Sequence, residues 1–316
     1  MGRTSTSVGS RRIVDLAEQL TRQGEPVADG AFVGAHGLTV VQHASPTTAE
    51  TTLYRPVACL ILRGLKETAF GGRPTRVGEG QVLLISHDVP LVARVRRAPY
   101  LAVVLTLDLA TLRALQDDLG GAALAPGEPA ASHRVDEADG ALVDAFERLL
   151  ALVVDGSEAD VRVVGGLTHR ELHYRLLTSP AGAMLRDLIR HDSHASAVAQ
   201  AIRTLHRDFR APLRVEALAR EVAMSVSSFH KHFKAVTATS PLQYQKTLRL
   251  LEARRLLAEP GAAVSTAAFA VGYESPTQFC RDYVRRFGHP PSRAQRLGQR
   301  GRGAGAASPG RAARAG

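Results

Sequence analysis

AFAVGYESPTQFCRDYVRRFGHPP, residues 268–291, decides how the rest of the chain is read. It closes a short helical run, Val264 to Val271, breaks at Gly272, and resumes as a second run from Ser275 to Phe287. In the second run Phe279, Tyr283 and Phe287 recur every four residues, which puts them on one face of a helix. Thr277, Gln278, Arg281 and Arg285 fall on the other side. The pattern predicts a short helix, a turn, and a second helix with an aromatic buried stripe and a polar, positive free face.

The same plan occurs fifty residues earlier. Val215, Leu218, Ala219 and Val222 have helical spacing, Ala223-Met224-Ser225 breaks it, and Ser225 is a suitable N-cap for the helix that follows. There Phe229 and Phe233 form the apolar stripe, while Ser227, Ser228, His230, Lys231 and Lys234 face elsewhere. Between the units, Ser240-Pro241 is a cap followed by proline at the first helical position, and Leu242 to Leu257 reads as one uninterrupted helix. A rigid helix joining two such units fixes the distance between their second helices. Two helices held roughly 34 Å apart would enter successive major grooves on one face of B-DNA, where base edges present distinguishable donors and acceptors.

Residues 268–291, together with Met224 to His230 and Ser240-Pro241-Leu242-Gln243-Tyr244, resemble the signature of the AraC/XylS family of bacterial transcription regulators. The resemblance covers nearly all of that family's DNA-binding module. It implies Ser227 and Lys231 as base-facing residues of the first reading helix, with His230 beside them and Lys234 on phosphate. In the second reading helix it implies Thr277 and Arg281 against bases, Arg281 being suited to a bidentate bond with guanine, and Gln278 and Arg285 as further DNA contacts. Two departures fall in this helix: Cys280, where a small polar residue is usual, and Pro276, which has no hydrogen-bonding side chain. Promoter DNA is the implied partner, with RNA polymerase as a second.

Charge follows the same division. The chain of 316 residues has 40 Lys+Arg and 30 Asp+Glu, and from Arg203 onward the count is 20 against 7, leaving 20 against 23 before it. All the basic excess accompanies the two helical units, as a phosphate footprint should. The two cysteines, Cys59 and Cys280, argue against a disulfide framework and for a reducing compartment. The N-terminal segment lacks the apolar core of a signal peptide, and no stretch is long and apolar enough for a bilayer span. A cytoplasmic protein with no membrane partner is expected.

Ahead of the helical units the expected class is α+β. Residues 1–10 are expected to be disordered, and Ile13 to Gln23 reads as an amphipathic helix. Strand patterns follow at Leu38 to Gln42, Thr52 to Leu62, Gly80 to Ser86, Leu91 to Val95 and Tyr100 to Leu105, separated by turn formers such as Phe70 to Pro74, which suits a small antiparallel barrel or sandwich. Gly78 to Ile85 resembles part of a cupin, and the order of elements, with Arg63-Gly64-Leu65-Lys66 after an apolar strand, is similar to the effector domain of one AraC-family branch. Asp108 is a candidate helix cap, and Ala122 to Ala131 reads as a flexible loop. Leu142, Phe146, Leu149, Leu150 and Val153 form an apolar stripe, and Leu167, Leu172, Leu176 and Leu177 a looser one. The resemblance allows these helices to form a homodimer interface; packing onto the barrel explains the same spacing. The expected organisation is a cupin-like effector-binding and dimerisation domain over 11–190, a linker at 191–196, a double helix-turn-helix domain over 197–297 and a disordered basic tail over 298–316.

No catalytic motif is apparent. His36, His43 and His87 lack the close pairing that a metal-binding cupin needs, and His169 and His173, four apart on a helix, have no evident third ligand. No metal or other cofactor is expected. Cys59 shares a strand face with Val57 and Ile61, and either contacts an effector inside the barrel or is a small core residue. The leading expectation is a sequence-specific DNA-binding regulator, not an enzyme, whose N-terminal domain takes an unknown small effector, dimerises, or both. Two alternatives stand beside it: a constitutive DNA binder with a scaffold-only N-terminal domain, and a cupin enzyme with an accessory DNA-binding module.

Overall fold

A computed structural model describes residues 11–27, 30–120, 132–259 and 261–293. The N-terminal ten residues, the alanine- and proline-rich loop at 122–131 and the tail at 298–316 lie outside the described residues. The chain forms two compact units, residues 1–202 with 216–240, and 203–215 with 241–316.

The first unit begins with helix α1 (Arg11–Gln23), which buries Ile13, Leu16, Ala17 and Leu20. The strands are β1 (Ala31–Val33), β2 (Leu38–His43), β3 (Glu50–Tyr54), β4 (Val57–Phe70), β5 (Arg73–Gly78), β6 (Gln81–Ile85), β7 (Val89–Thr106) and β8 (His133–Glu137). They make one eight-stranded sheet, ordered β1-β2-β7-β4-β6-β8, with β3 added to β7 and β5 to β4. Each of these pairings is antiparallel, and the long strands β4 and β7 carry the others.

Two expectations about strands are corrected. The run from Thr52 to Leu62 is two strands, because Arg55-Pro56 interrupts it where proline cannot donate to a ladder. The runs at 91–95 and 100–105 are one eighteen-residue strand, β7, which changes partner from β3 to β2 along its length.

Strand alternation divides the unit's apolar residues into two cores. Ala58, Leu60 and Leu62 of β4, with Leu101, Val103 and Leu105 of β7, face α1 and the helices α2 (Leu109–Asp118), α3 (Gly140–Asp155), α4 (Glu158–Thr178) and α5 (Ala183–Ile189). Val57, Cys59 and Ile61 face the opposite side, with Leu83, Ile85, Tyr100 and Ala102. The register of β4 against β7 shifts between Ile61 and Lys66, so that the even-numbered Phe70 joins the odd-numbered Ile61 in the same core. Gly64 lies in the shifted segment at φ 90, where a Cβ would meet Arg97 O at 2.5 Å. Only glycine fits that bend.

Asp108 caps α2, accepting from the N–H groups of Ala110 and Thr111. Leu142, Phe146, Leu149 and Leu150 are buried as their spacing requires. Leu167 departs from the expected stripe: it is 66% exposed on α4, with Val163, Val164 and Tyr174 also outward, while Leu172, Leu176 and Leu177 face the core. Helix α6 (His194–Asp208) follows, and the unit also contains α7 (Val215–Glu221) and α8 (Val226–Thr237).

The second unit is helical: α9 (Pro241–Leu257), α10 (Val264–Ala270) and α11 (Pro276–Phe287). Its core is formed by Leu250, Ala253 and Leu257 of α9 against Ala267, Ala268, Val271, Phe279 and Tyr283. Among the described residues no helix is long and apolar enough to cross a membrane.

Candidate nucleic-acid interface and interior cavity

Helix α8 starts where Ser225, in extended conformation, accepts a hydrogen bond from the Ser228 N–H. It ends at Ala238, which is left-handed at φ 57. Phe229, Phe233 and Val236 are buried, and the two phenyl rings are 5.5 Å apart. With that face committed to packing, Ser227, His230, Lys231 and Lys234 are left exposed. Neither lysine has an ion-pair partner among the described residues.

Helix α11 repeats the arrangement. Ser275 caps it, Pro276 occupies the first helical position where a missing N–H costs nothing, and Gly288 at φ 73 ends it. Phe279 and Tyr283 are buried with ring centroids 5.5 Å apart, and Thr277, Gln278, Arg281 and Arg285 are exposed. Arg285 lies 3.5 Å from Asp282, which is shared with Lys246 at 3.4 Å. Cys280 is half-buried against the aromatic core, off the free face. The usual small polar residue is thus replaced at the margin of the packing, where a thiol behaves as a small hydrophobe.

A residue that the sequence did not flag holds this unit together. Arg249 of α9 donates from Nε to Phe209 O at 2.7 Å, from Nη1 to Gly272 O at 2.8 Å, and from Nη2 to Arg210 O and Ala211 O at 3.1 and 2.9 Å. The planar guanidinium gathers the orphan carbonyls at the end of α6 and in the α10–α11 turn. Gly272 takes φ 88 there, and a Cβ would strike Arg210 O at 2.2 Å. The free face of α11 is therefore aimed by a rigid turn.

In the first unit the inner side of the sheet borders a half-open cavity of about 620 Å³. Its lining is mixed: Val41, Val57, Val95 and Val104 give apolar patches, while five threonines (Thr39, Thr47, Thr48, Thr52 and Thr106), Glu50, Arg55, Tyr54, Tyr100 and Lys66 put polar and charged groups around it. Lys66 Nζ lies 5.0 Å from the Tyr54 ring centroid. Burial opposes the ammonium charge, but Tyr54, Tyr100 and Cys59 outweigh it and hold the Lys66 pKa above its ordinary value. Burial, with Cys59 next, pushes the Tyr100 hydroxyl up, so it stays protonated. Cys59 is buried on the face shared with Val57 and Ile61, its Sγ 4.0 Å from Tyr100 Oη. Tyr100, and not Cys59, lines the cavity.

The histidines are engaged in packing. His169 and His173 rings are 4.2 Å apart, and His36 joins them at 5.9 Å from His169. No spacing signal links His36 to this pair, since it is more than a hundred residues away in the chain. His173 Nε2 accepts from the Asp108 N–H and its Nδ1 faces His169 O, while His36 Nε2 donates to Val161 O. Burial and the neighbouring rings bring His169 down to about 4. Among the described residues no group of three His, Cys, Asp or Glu is arranged to hold a metal. His43 lines the cavity mouth, and buried His87 bonds Ser86 Oγ and Ala195 O.

Residues 218–297 match the family model described as a helix-turn-helix domain, and residues 34–184 match the one described as an AraC-type transcriptional regulator N-terminus. The class is thus a helix-turn-helix protein with an antiparallel β domain ahead of its helices. The chain belongs to the AraC/XylS family of transcriptional regulators. It is 29% identical to the regulator CdhR of Pseudomonas aeruginosa over 131 residues, 41% of this chain and 36% of that one. It is 34% identical to the activator RhaS of Escherichia fergusonii over 76 residues, 24% of this chain and 27% of that one. The curated relatives named here are matched over only part of their length. In fold the chain is similar to ToxT of Vibrio cholerae, with a TM-score of 0.56 at 10% identity, covering 84% of this chain and 98% of ToxT.

Proposed function

We propose that this protein is a sequence-specific DNA-binding transcriptional regulator whose N-terminal domain takes a small effector. The observation that carries the reading is the pairing of α8 and α11. Each is a capped helix with its aromatic stripe buried and a row of small polar and cationic side chains exposed: Ser227, His230, Lys231 and Lys234 on one, Thr277, Gln278, Arg281 and Arg285 on the other. Side chains of this size and charge on a helix face suit base edges and phosphates of a major groove. The two helix pairs act as two helix-turn-helix units joined by α9, and a double unit over 197–297 follows a linker at 191–196.

The sheet over 31–137 acts as a cupin-like effector domain. Its cavity supports this, and ToxT, similar in fold, has been solved with an unsaturated fatty acid bound. The exposed Val163, Leu167 and Tyr174 on α4 support a homodimer through that helix. Catalysis has no support in the site, and the protein works in the cytoplasm on promoter DNA, with RNA polymerase as a further contact.

Footprinting on the DNA upstream of the protein's own gene, at several salt concentrations, tests the reading. Wild type is expected to protect two adjacent major grooves, and Arg281→Ala to lose specificity over one of them. Weak binding, equally salt-sensitive in both proteins on the upstream DNA and on a panel of genomic fragments, would overturn it.

A further inference from the structure

We propose that the β4–β5 hairpin is a further DNA-contacting element, with Arg73 and Arg76 holding backbone phosphates beside the groove that α8 enters. This rests on the DNA-binding reading above and adds a contact outside both helix-turn-helix units. The hairpin and α8 belong to the same compact unit. Along α8, Ser227, Lys231, Lys234 and Ala238 are four, three and four residues apart, so they fall on one line. The exposed row therefore runs straight to Ala238, and there the hairpin tip touches it: a Cβ on Gly71 would lie 2.7 Å from the Ala238 Cβ. Arg73 follows two residues later, paired with Phe70 across the turn. Helix α8 has 12 residues, hence a length of about 18 Å, against a major groove about 12 Å wide. Set across the groove it overhangs a flanking phosphate strand, and its end at Ala238 carries the hairpin there.

The charge on these strands suits that occupant. Strands β4, β5 and β7 hold seven Lys+Arg against one Asp+Glu, leaving 13 against 22 in the rest of residues 1–202. The one carboxylate, Glu67, is shared by three guanidiniums: Arg94 at 2.8 Å, Arg76 at 3.5 Å and Arg96 at 3.7 Å. Arg76 and Arg94 are its register partners on β5 and β7, so the cluster lies on the outer face of the sheet with two positive charges in surplus. Arg76 is 65% exposed, and Arg73 is exposed with no ion-pair partner among the described residues. The two lie about 10 Å apart along β5, the axial length of about three phosphates on one strand. Guanidinium forks bond phosphate oxygens in pairs. An otherwise acidic domain thus gathers its basic excess where it adjoins the cationic row of α8, which favours DNA over an acidic protein partner.

Binding of the full chain at several salt concentrations to two duplexes, one from the DNA upstream of its own gene and one of scrambled sequence, tests this. Wild type is compared with Arg73→Ala, the double variant Arg73→Ala/Arg76→Ala, Arg73→Lys and a control, Arg22→Ala, whose guanidinium is exposed on α1. The double variant is expected to reduce the slope of log K against log salt by about 1–2 and to bind both duplexes roughly tenfold more weakly, with their ratio unchanged. Arg73→Ala alone leaves the Glu67 cluster intact and should give about half of that change. Arg73→Lys should keep most of the wild-type slope, and Arg22→Ala all of it. An unchanged slope in the double variant, an equal loss in Arg22→Ala, or tighter binding without the arginines would overturn the hairpin contact. Tighter binding would make the hairpin an obstruction at the end of α8. None of these results touches the DNA-binding reading, because Lys234→Ala still lowers the slope if that reading holds; binding by wild type that ignores salt on both duplexes would sink the two together.

Discussion

Gly71, at the tip of the β4–β5 hairpin, lies directly against Ala238, the residue that ends α8: a Cβ on Gly71 would sit 2.7 Å from the Cβ of Ala238. Both residues are in the left-handed region at φ 57. Ala238 packs on the inner core of the sheet, the core that includes Tyr100 and Val57 of the cavity wall. The strand that carries Lys66 therefore runs out into a turn that touches the end of the first candidate reading helix. A change in the cavity has a short path to α8 along one strand.

That contact is testable as an energetic coupling. Gly71→Ala adds a methyl group where there is no space and at a φ that favours glycine, and is expected to lower stability by about 1–2 kcal/mol. Ala238→Gly removes the opposing methyl and relieves a left-handed alanine, so it should be neutral or stabilising by up to about 1 kcal/mol. In the double variant part of the Gly71→Ala cost should disappear, and urea denaturation of the four proteins measures the difference. Strict additivity would mean that the two residues do not meet.

Exposed lysine and exposed arginine on the reading helices should behave differently on DNA. Lys234→Ala, as loss of a phosphate contact, is expected to weaken binding to all sequences alike and to reduce the slope of log K against log salt by about 1. Arg281→Ala should instead cost roughly 1–3 kcal/mol on the preferred site and much less elsewhere. Competition binding with single-base variants of the site separates the two. Equal losses on every sequence for both variants would remove Arg281 from the base-reading role.

The two candidate reading helices, α8 and α11, were legible because their signals are local. Four-residue aromatic spacing at Phe229/Phe233 and Phe279/Tyr283 dictated the buried faces and, by exclusion, all eight exposed candidates. Capping by Ser225 and Asp108 was readable for the same reason. The cavity was not. Alternation correctly put Cys59 beside Val57 and Ile61, but counting onward by two would have sent Lys66 to the outer face. The shifts between Ile61 and Lys66 reverse that parity, and they depend on a partner strand some thirty residues away. Arg249 escaped notice because its four acceptors are backbone carbonyls, which carry no side-chain signature. His36 came to His169 through tertiary packing alone.

Arg249 carries an expectation of its own. Arg249→Met keeps the aliphatic stem but leaves the carbonyls of Phe209, Arg210 and Gly272 without this donor, and Ala211 O with only Gln245 Nε2 at 2.8 Å. The cost should be about 2–4 kcal/mol, since several partly buried acceptors are affected together. Lysine should restore little, because one ammonium cannot span a fork of acceptors. Hydrogen exchange would register the loss as faster exchange in α10 and α11. Protection equal to wild type in Arg249→Met would show that the turn is held by packing alone.

Stability against pH should report on His87. Its ring is buried, Nε2 donates to Ala195 O at 3.0 Å, and burial, only partly offset by that bond, lowers its pKa from 6.5 to about 4. The unfolded chain then takes up a proton near pH 6.5 that the folded chain refuses until about pH 4. The stabilisation is complete above 6.5 and is lost progressively as pH falls toward 4, by about 3 kcal/mol in all. His169 and His173 are also lowered by burial and add to the same trend. His87→Gln keeps an N–H donor for Ala195 and does not titrate, so its urea midpoint should fall less between pH 7.5 and pH 5 than that of wild type. The same fall in both proteins would mean that His87 is already charged in the folded state, or that the acid loss belongs entirely to His169 and His173.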